Sequence, residues 1–445
     1  MQFAHGLVQR ANLPIPEWLF GWAAAVVLVV SFVALAALWP QPKLERDHWR
    51  PLPGRLGRAL GAPLLEAVCG AIGVLLLLVV AVSGLVGTQS PLDNFAPSFV
   101  FIIFWVGLAF AGALLGNVFA AFSPWRALGR AAGWAVPRAR GGRPLPRRAY
   151  PDWLGRWPAA AGVFGFTWIE LASGWGEDPR LLSFAVLGYS AITFTGQAAF
   201  GVETWTRRGE AFAVYFELFA RIAPFERRNR VVGVRPPLAG LPQLDVVPGT
   251  VALVLVMIGT VTFDGLSQGQ LWTDLTGDAA FEAPVLVNTL GLIGGVAIVS
   301  AFYALGVAGA RSVGGDLSAG ALRRAFVHSL VPIALVYVAA HYLTFLLFEG
   351  QSIAYLASDP LGEGWDLFGT ASAAIDYGAL SQNQAWYLQV GFVVAGHVAA
   401  LILAHDRALS LYPESKLAVR SQYWMLAVMV GFTTLALWLL AAAQG

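Results

Sequence analysis

Ten stretches of this chain each approach the roughly 20 apolar residues that one helix needs to cross a hydrocarbon core about 30 Å thick, and that recurrence constrains the fold more than any motif does. They are residues 18–39, 64–86, 98–121, 157–173, 181–200, 249–266, 284–308, 325–348, 386–404 and 423–443, the fourth and sixth being the shortest. Inside a bilayer every backbone polar group must be bonded within its own segment, so apolar stretches of this length fold as helices. The expected class is therefore an all-α, polytopic integral membrane bundle forming one domain over residues 1–445. Composition agrees: 57% of the 445 residues are hydrophobic and 12% are charged, which excludes an ordinary soluble domain.

The basic residues test the count independently. Cytoplasmic loops are enriched in Lys and Arg, and 26 of the 28 basic residues fall in the loops after the first, third, fifth, seventh and ninth stretches. The other two are Arg10 and Arg180, on the opposite side. Ten crossings with both termini outside fit this pattern, and the preference for Arg over Lys points to a bacterial cytoplasmic membrane. The net charge of +2 gives no case for a nucleic-acid partner. One cysteine, Cys69, excludes an intrachain disulfide and a cysteine-rich metal site. The N-terminal segment lacks the pattern of a cleavable leader, so the first helix is expected to act as its own insertion signal.

Two basic loops stand out. Residues 122–156 contain "RGGRPLPRR", a segment expected to lie extended near anionic lipid heads. Residues 201–248 contain a run over 210–225 in which Phe212, Phe216, Phe219 and Ile222 recur at helical spacing, with Glu217 and Arg221 on other faces and Pro224 ending the run. That pattern predicts an amphipathic helix lying on the inner interface. Trp18, Trp157, Trp386 and Trp424, near span ends, read as interfacial anchors.

Ionisable residues inside the spans carry the functional question, because each costs at least a few kcal/mol in lipid unless paired or hydrated. "LVYVAAHYLTFLLFEGQ" holds His341, "FTWIELASG" holds Glu170 and "GTVTFDG" holds Asp264, all in the outer third of their helices at about 1.5 Å per residue. Tyr337, His341 and Thr344 share a helical face, as do Thr260 and Asp264, and Tyr189, Thr193 and Gln197, so these stripes are expected to face the bundle interior. His397 should sit deeper, with His328, His405 and Asp406 at the inner edge. The plain alternative for His341 is a hydrogen-bonded packing residue. With no H-x-H and no H-E-x-x-H, a metal site would be assembled across helices from His341, Asp264 and Glu170, with His397 as a secondary ligand. "GLSQG", Gly265 to Gly269, fits G-x-S-x-G in form but lacks the strand-to-helix elbow on which that motif depends.

The segments "LPIPEWLFGWAAA", "NFAPSFVFIIFWVG", "SPWRALGR", "RGEAFAVYFELFARIAPF", "PGTVALVLVMIGTVTFDG", "SDPLGEGWDLFGTA" and "VAGHVAALILAHDRAL" resemble those of a family of polytopic bacterial membrane proteins commonly labelled fenitrothion hydrolase, an organophosphate hydrolase. The resemblance spans nearly the whole chain. It implies hydrolysis of phosphotriesters without identifying the residues responsible. Such chemistry usually needs a strong nucleophile, commonly metal-bound hydroxide, so Glu170, Asp264 and His341 are the catalytic candidates and a divalent metal ion the expected cofactor. In the alternative reading the same groups form a proton or cation relay in a transporter or channel, or the chain is a structural subunit of a membrane complex. The expected partners are the bilayer and a small lipophilic substrate or an ion, with the oligomeric state open.

Overall fold

The structure is a computed structural model that describes residues 17–143, 146–314 and 317–442. Its main helices are α1 (Glu17–Leu38), α2 (Pro63–Val86), α3 (Phe95–Leu115), α4 (Pro124–Ala139), α5 (Trp157–Leu171), α6 (Pro179–Phe200), α7 (Ala211–Ala220), α8 (Thr250–Ser267), α9 (Pro284–Ser312), α10 (Ala319–Leu347), α11 (Gln382–Leu411) and α12 (Tyr423–Ala442). Among the described residues nine helices are long and apolar enough to cross a membrane. The chain is thus an all-α, multi-pass membrane bundle. Of the ten expected spans, the fourth departs most: α5 has 15 residues, about 22 Å of helix, and ends before the chain turns at Ala172.

Helices α8 and α10 form the centre and are buried along most of their length. Helix α8 packs against α5, α9, α10 and α12, while α10 packs against α11 and α3. Helix α1 closes one side against α11 and α12, and α2, α4 and α6 form a flank on the other. The outward faces are apolar: Val26, Val30, Val33, Leu64, Leu75 and Leu290 are all exposed, as suits a hydrocarbon surround. Lipid tails do not drive helices together hydrophobically, so close packing must, and small residues permit it. At the crossing of α8 and α9 a Cβ on Gly259 would lie 2.5 Å from the Val296 Cα, and one on Gly295 would lie 2.5 Å from the Gly259 carbonyl oxygen.

Helix α3 opens into a π-helix over Ser98–Gly107, directly after Pro97. The wider turn is rare and often marks functional segments. Here it carries Trp105, which stacks on Tyr215 of α7 with ring centroids 4.2 Å apart.

Two expectations are corrected. The segment 210–225 is not an amphipathic surface helix: α7 covers only Ala211–Ala220, and every residue in it except Glu217 is buried. It is inserted among α3, α5 and α10. Trp386 is not an interfacial anchor either, being 3% exposed and packed edge-on against Phe20, whereas Trp157 and Trp424 are exposed; the side chain of Trp18 lies outside the described residues.

The basic loops are built rather than merely solvated. A three-stranded antiparallel sheet joins the loop after α1 to the loop after α7, with β1 (Arg50–Pro51) and β2 (Phe225–Arg228) flanking β3 (Val231–Val234). Arg50 and Phe225 are both in register with Val234. Within residues 122–156, α4 is tied down by Arg126 and Arg130, which pair with Glu66 at 3.0 and 2.5 Å and with Glu203 at 3.2 and 2.7 Å.

Candidate functional site

Asp264 lies near the end of α8 and is fully buried. Two consecutive residues of α10 meet it. His341 Nε2 lies 2.8 Å from Asp264 Oδ2, and the Tyr342 hydroxyl donates to the same oxygen at 2.6 Å. The imidazole contact is close without being a directed hydrogen bond, since Nε2 makes none within the described residues; a rotation of the ring would complete one. The His341 ring stands perpendicular to that of Tyr342, 4.7 Å between centroids, so the two side chains bracket the carboxylate from one helix.

His341 keeps 8% exposure and lines a cavity of about 40 Å³ shared with Val261, Thr262, Gly265, Tyr337 and Ala340. A space of that size beside polar atoms holds a water molecule or two and no organic substrate.

Glu170 approaches from α5. The residue as a whole is half-buried, but its Oε2 is shut off from solvent and makes no hydrogen bond in the structure. It lies within electrostatic range of Asp264, Tyr215 and Tyr342. Of the three outer residues singled out in the sequence, Asp264 and His341 are in contact, and Glu170 is near enough to Asp264 for their charges to interact.

They do not form a metal cage. Among the described residues no group of three or more His, Cys, Asp or Glu side chains is placed to hold a metal ion. His397, the secondary ligand candidate, is also apart. Its Nδ1 is bonded to the Val393 carbonyl of its own helix at 2.8 Å, and its ring sits 6.4 Å from those of both Tyr337 and Phe432. The chemistry offered by Asp264, His341 and Tyr342 is instead that of proton donors and acceptors gathered on one oxygen.

The inner layer has a structural role. Asp406 accepts from the Trp39 indole at 2.8 Å and from the backbone N–H groups of Lys43 and Leu44 at 2.6 and 2.9 Å, holding the turn after α1. His405 bridges the Trp39 carbonyl and the Gln422 side chain at 3.1 and 3.2 Å. His328 bonds the Ala325 carbonyl at 2.9 Å. Ser267 lies at the end of α8 with its hydroxyl on the Asp264 carbonyl at 2.8 Å, so "GLSQG" forms no nucleophile elbow.

Sequence reasoning missed Tyr342 and Tyr215. Tyr342 follows His341 by one residue and so falls about 100° around the helix, off the stripe that the spacing of Tyr337, His341 and Thr344 defines. Only its adjacency to His341 signalled it.

Fold and site together define a polytopic helical membrane protein with an ionisable cluster buried between its two central helices. Searches against protein-family models, curated proteins and solved structures find no match to this chain.

Proposed function

We propose that the protein is a proton-coupled transporter of the bacterial cytoplasmic membrane, with Asp264, His341 and Tyr342 as its proton-binding element. One observation carries the reading: a fully buried carboxylate is met on a single oxygen by two proton-bearing groups, and one of them lines a water-sized cavity. Buried ionisable groups in a membrane interior are expensive and mark ion or proton pathways. In the proposed step a proton passes from the Asp264 carboxyl to His341 Nε2, leaving the carboxylate held by Tyr342, and the imidazolium then releases its proton to water in the cavity. Glu170 supplies a second carboxyl close enough to feel the charge on Asp264, so protonation of one is linked to that of the other.

Phosphotriester hydrolysis is the second reading. An imidazole backed by a carboxylate beside room for water is also a general base. It ranks second because the cavity at His341 takes water alone and, among the described residues, no third ligand joins Asp264 and His341 to hold a metal.

The test is proton uptake by purified protein in liposomes carrying an entrapped pH dye under an imposed membrane potential. Uptake should be lost in His341→Ala and Asp264→Asn and kept, per folded molecule, in Asp406→Asn. No protein-dependent uptake, together with cleavage of a chromogenic phosphotriester that His341→Ala abolishes, would replace transport by hydrolysis.

A further inference from the structure

A second cavity, far larger, lies against α5 and α6. Helices α5 and α6 follow one another through the short connection at residues 172–178, yet they do not pack along their lengths. Between them is a cleft of about 820 Å³. Its walls run from Pro158 to Ile169 on α5 and from Leu182 to Thr193 on α6, about 16 Å along each helix. Val100 and Phe104 of α3, Leu76 of α2 and Phe212 of α7 form its floor.

Small residues usually let membrane helices touch. Here they leave space instead: a Cβ added to Gly165 or to Gly188 would meet no atom within 4 Å. The rim is open, with Phe184 at 56% and Ile192 at 63% exposure on the apolar outer surface.

Three polar groups of the lining are already engaged. The Tyr189 hydroxyl is held by Glu210, the Trp168 indole by Thr289 at 2.8 Å and the Trp125 indole by Ser190 at 2.8 Å. The Trp205 indole N–H makes no bond but is closed off from the space. The lining is overwhelmingly apolar, so an ion, a sugar or a nucleotide would lose most of its hydration here at a high desolvation cost. A hydrocarbon meets no such cost.

We infer that this cleft binds an acyl chain of a bilayer phospholipid, admitted sideways between α5 and α6. Shape selects a chain over a compact molecule, since the space is long, open along one side and bounded by two helices. The end lined by Pro158, Trp205 and Gly209 lies beside the basic loops, where Arg208 is partly exposed and Arg147 packs against Gly201, which places cationic side chains near the headgroup of an anionic lipid. Interiors close-pack, and an apolar void of this size that opens to lipid is filled by lipid. The inference does not depend on the proton reading.

The test uses the full chain reconstituted in phosphatidylethanolamine vesicles containing phosphatidylglycerol with a diazirine in one acyl chain. After irradiation, labelled peptides should be enriched for the Phe104, Phe166 and Tyr189 segments over the ordinary lipid-facing surface of α1 around Val26 and Val30. Filling the cleft with Gly165→Phe and Gly188→Phe should abolish labelling of those segments and leave α1 labelling unchanged. If that double variant fails to fold, Gly188→Leu alone should reduce the labelling. Cleft labelling no higher than that of α1, or unchanged in a folded cleft-filled variant, would overturn the proposal. So would full displacement of the diazirine lipid by a compact lipophilic triester at equimolar amount, which would assign the cleft to a small ligand. Because proton uptake is measured separately, failure here leaves the reading of Asp264 and His341 standing.

Discussion

Tyr342 and His341 compete for one oxygen of Asp264, and removing either should have a different consequence. Tyr342→Phe deletes a charge-assisted hydrogen bond without deleting a titrating group, so proton uptake should fall about tenfold and not vanish, a loss of about 1.4 kcal/mol. Uptake rates in the liposome assay check this; a rate equal to wild type would mean that the phenol does not tune the carboxylate. A second carboxyl, Glu210, caps α7 by accepting from the Phe212 and Ala213 N–H groups at 2.9 and 2.8 Å. Burial pushes its carboxyl up from an ordinary value near 4.5 to about 7, although the Tyr189 hydroxyl and the two N–H groups favour the charged form. A raised carboxyl destabilises the fold only where the unfolded chain would ionise it. The penalty is therefore absent below about pH 4.5, grows between there and about 7, and approaches about 3 kcal/mol above. Wild-type melting temperature in detergent should thus drop between pH 5 and 8 by more than that of Glu210→Gln. Parallel pH profiles for the two proteins would show that Glu210 does not carry the proton. At this scale the sequence revealed the residues that are out of place in hydrocarbon, Glu170, Asp264 and His341, because their cost is visible without a partner. It did not reveal Tyr342 or Tyr215, whose rings are at home in a membrane and whose hydroxyls matter only through the neighbours they meet.

Between helices, glycine position separates contact from vacancy. Gly294 and Gly295 are adjacent on α9, yet a Cβ at Gly294 meets nothing within 4 Å and one at Gly295 meets the α8 backbone. Gly295→Leu should force α8 and α9 apart and lower the melting temperature severely, costing about 1–3 kcal/mol or more, whereas Gly294→Leu should be nearly neutral. Thermal unfolding of the two variants in one detergent decides; equal losses would mean that helix propensity and not the crossing sets the effect. The misreading of α7 has a related cause. Phe212, Phe216 and Phe219 were read as one apolar stripe, but Ala211, Val214, Tyr215 and Leu218 fill the other faces, and a helix that is apolar all round is buried. Its lone charge in mid-helix, Glu217, is met by Arg221 at 2.7 Å. The small sheet was illegible for another reason: two- and four-residue strands in charged loops carry no period that could be told from loop, and although β2 and β3 form a local hairpin, β1 reaches them from about 180 positions away.

Across the whole molecule, the loops that hold 26 of the 28 basic residues are joined to one another by ion pairs and, for the one after α9, by a hydrogen bond, an observation independent of their composition. Arg407, in the last turns of α11, pairs with Glu45 of the loop after α1 at 3.0 Å. Arg228 pairs with Asp47 at 2.5 Å, and Glu66 binds Arg227 at 2.8 Å as well as Arg126 and Arg130. The Tyr412 hydroxyl donates to the Ala310 carbonyl at 3.1 Å, bringing in the loop after α9. Loops that touch lie at one end of the bundle, so the chain returns to the same side between each, which requires α5 to carry it across despite its 15 residues. The sequence made this alternation legible because charge placement reports sidedness directly, while the length of α5 was blurred by apolar residues beyond its end. The excess of Lys and Arg predicts the orientation, since basic loops tend to be retained on the cytoplasmic side. Reporter fusions after Gly142 and after Asp366 should therefore report cytoplasm and exterior respectively, Asp366 lying in the long loop before α11 where it is bonded to Ser358 at 2.8 Å. Labelling single cysteines at Arg143 and at Phe368, which is 71% exposed, should give the same assignment in intact cells and inverted vesicles. The same side for both sites would mean that α5 does not cross, and an exterior Gly142 would mean that the charge bias does not set the orientation of this bundle.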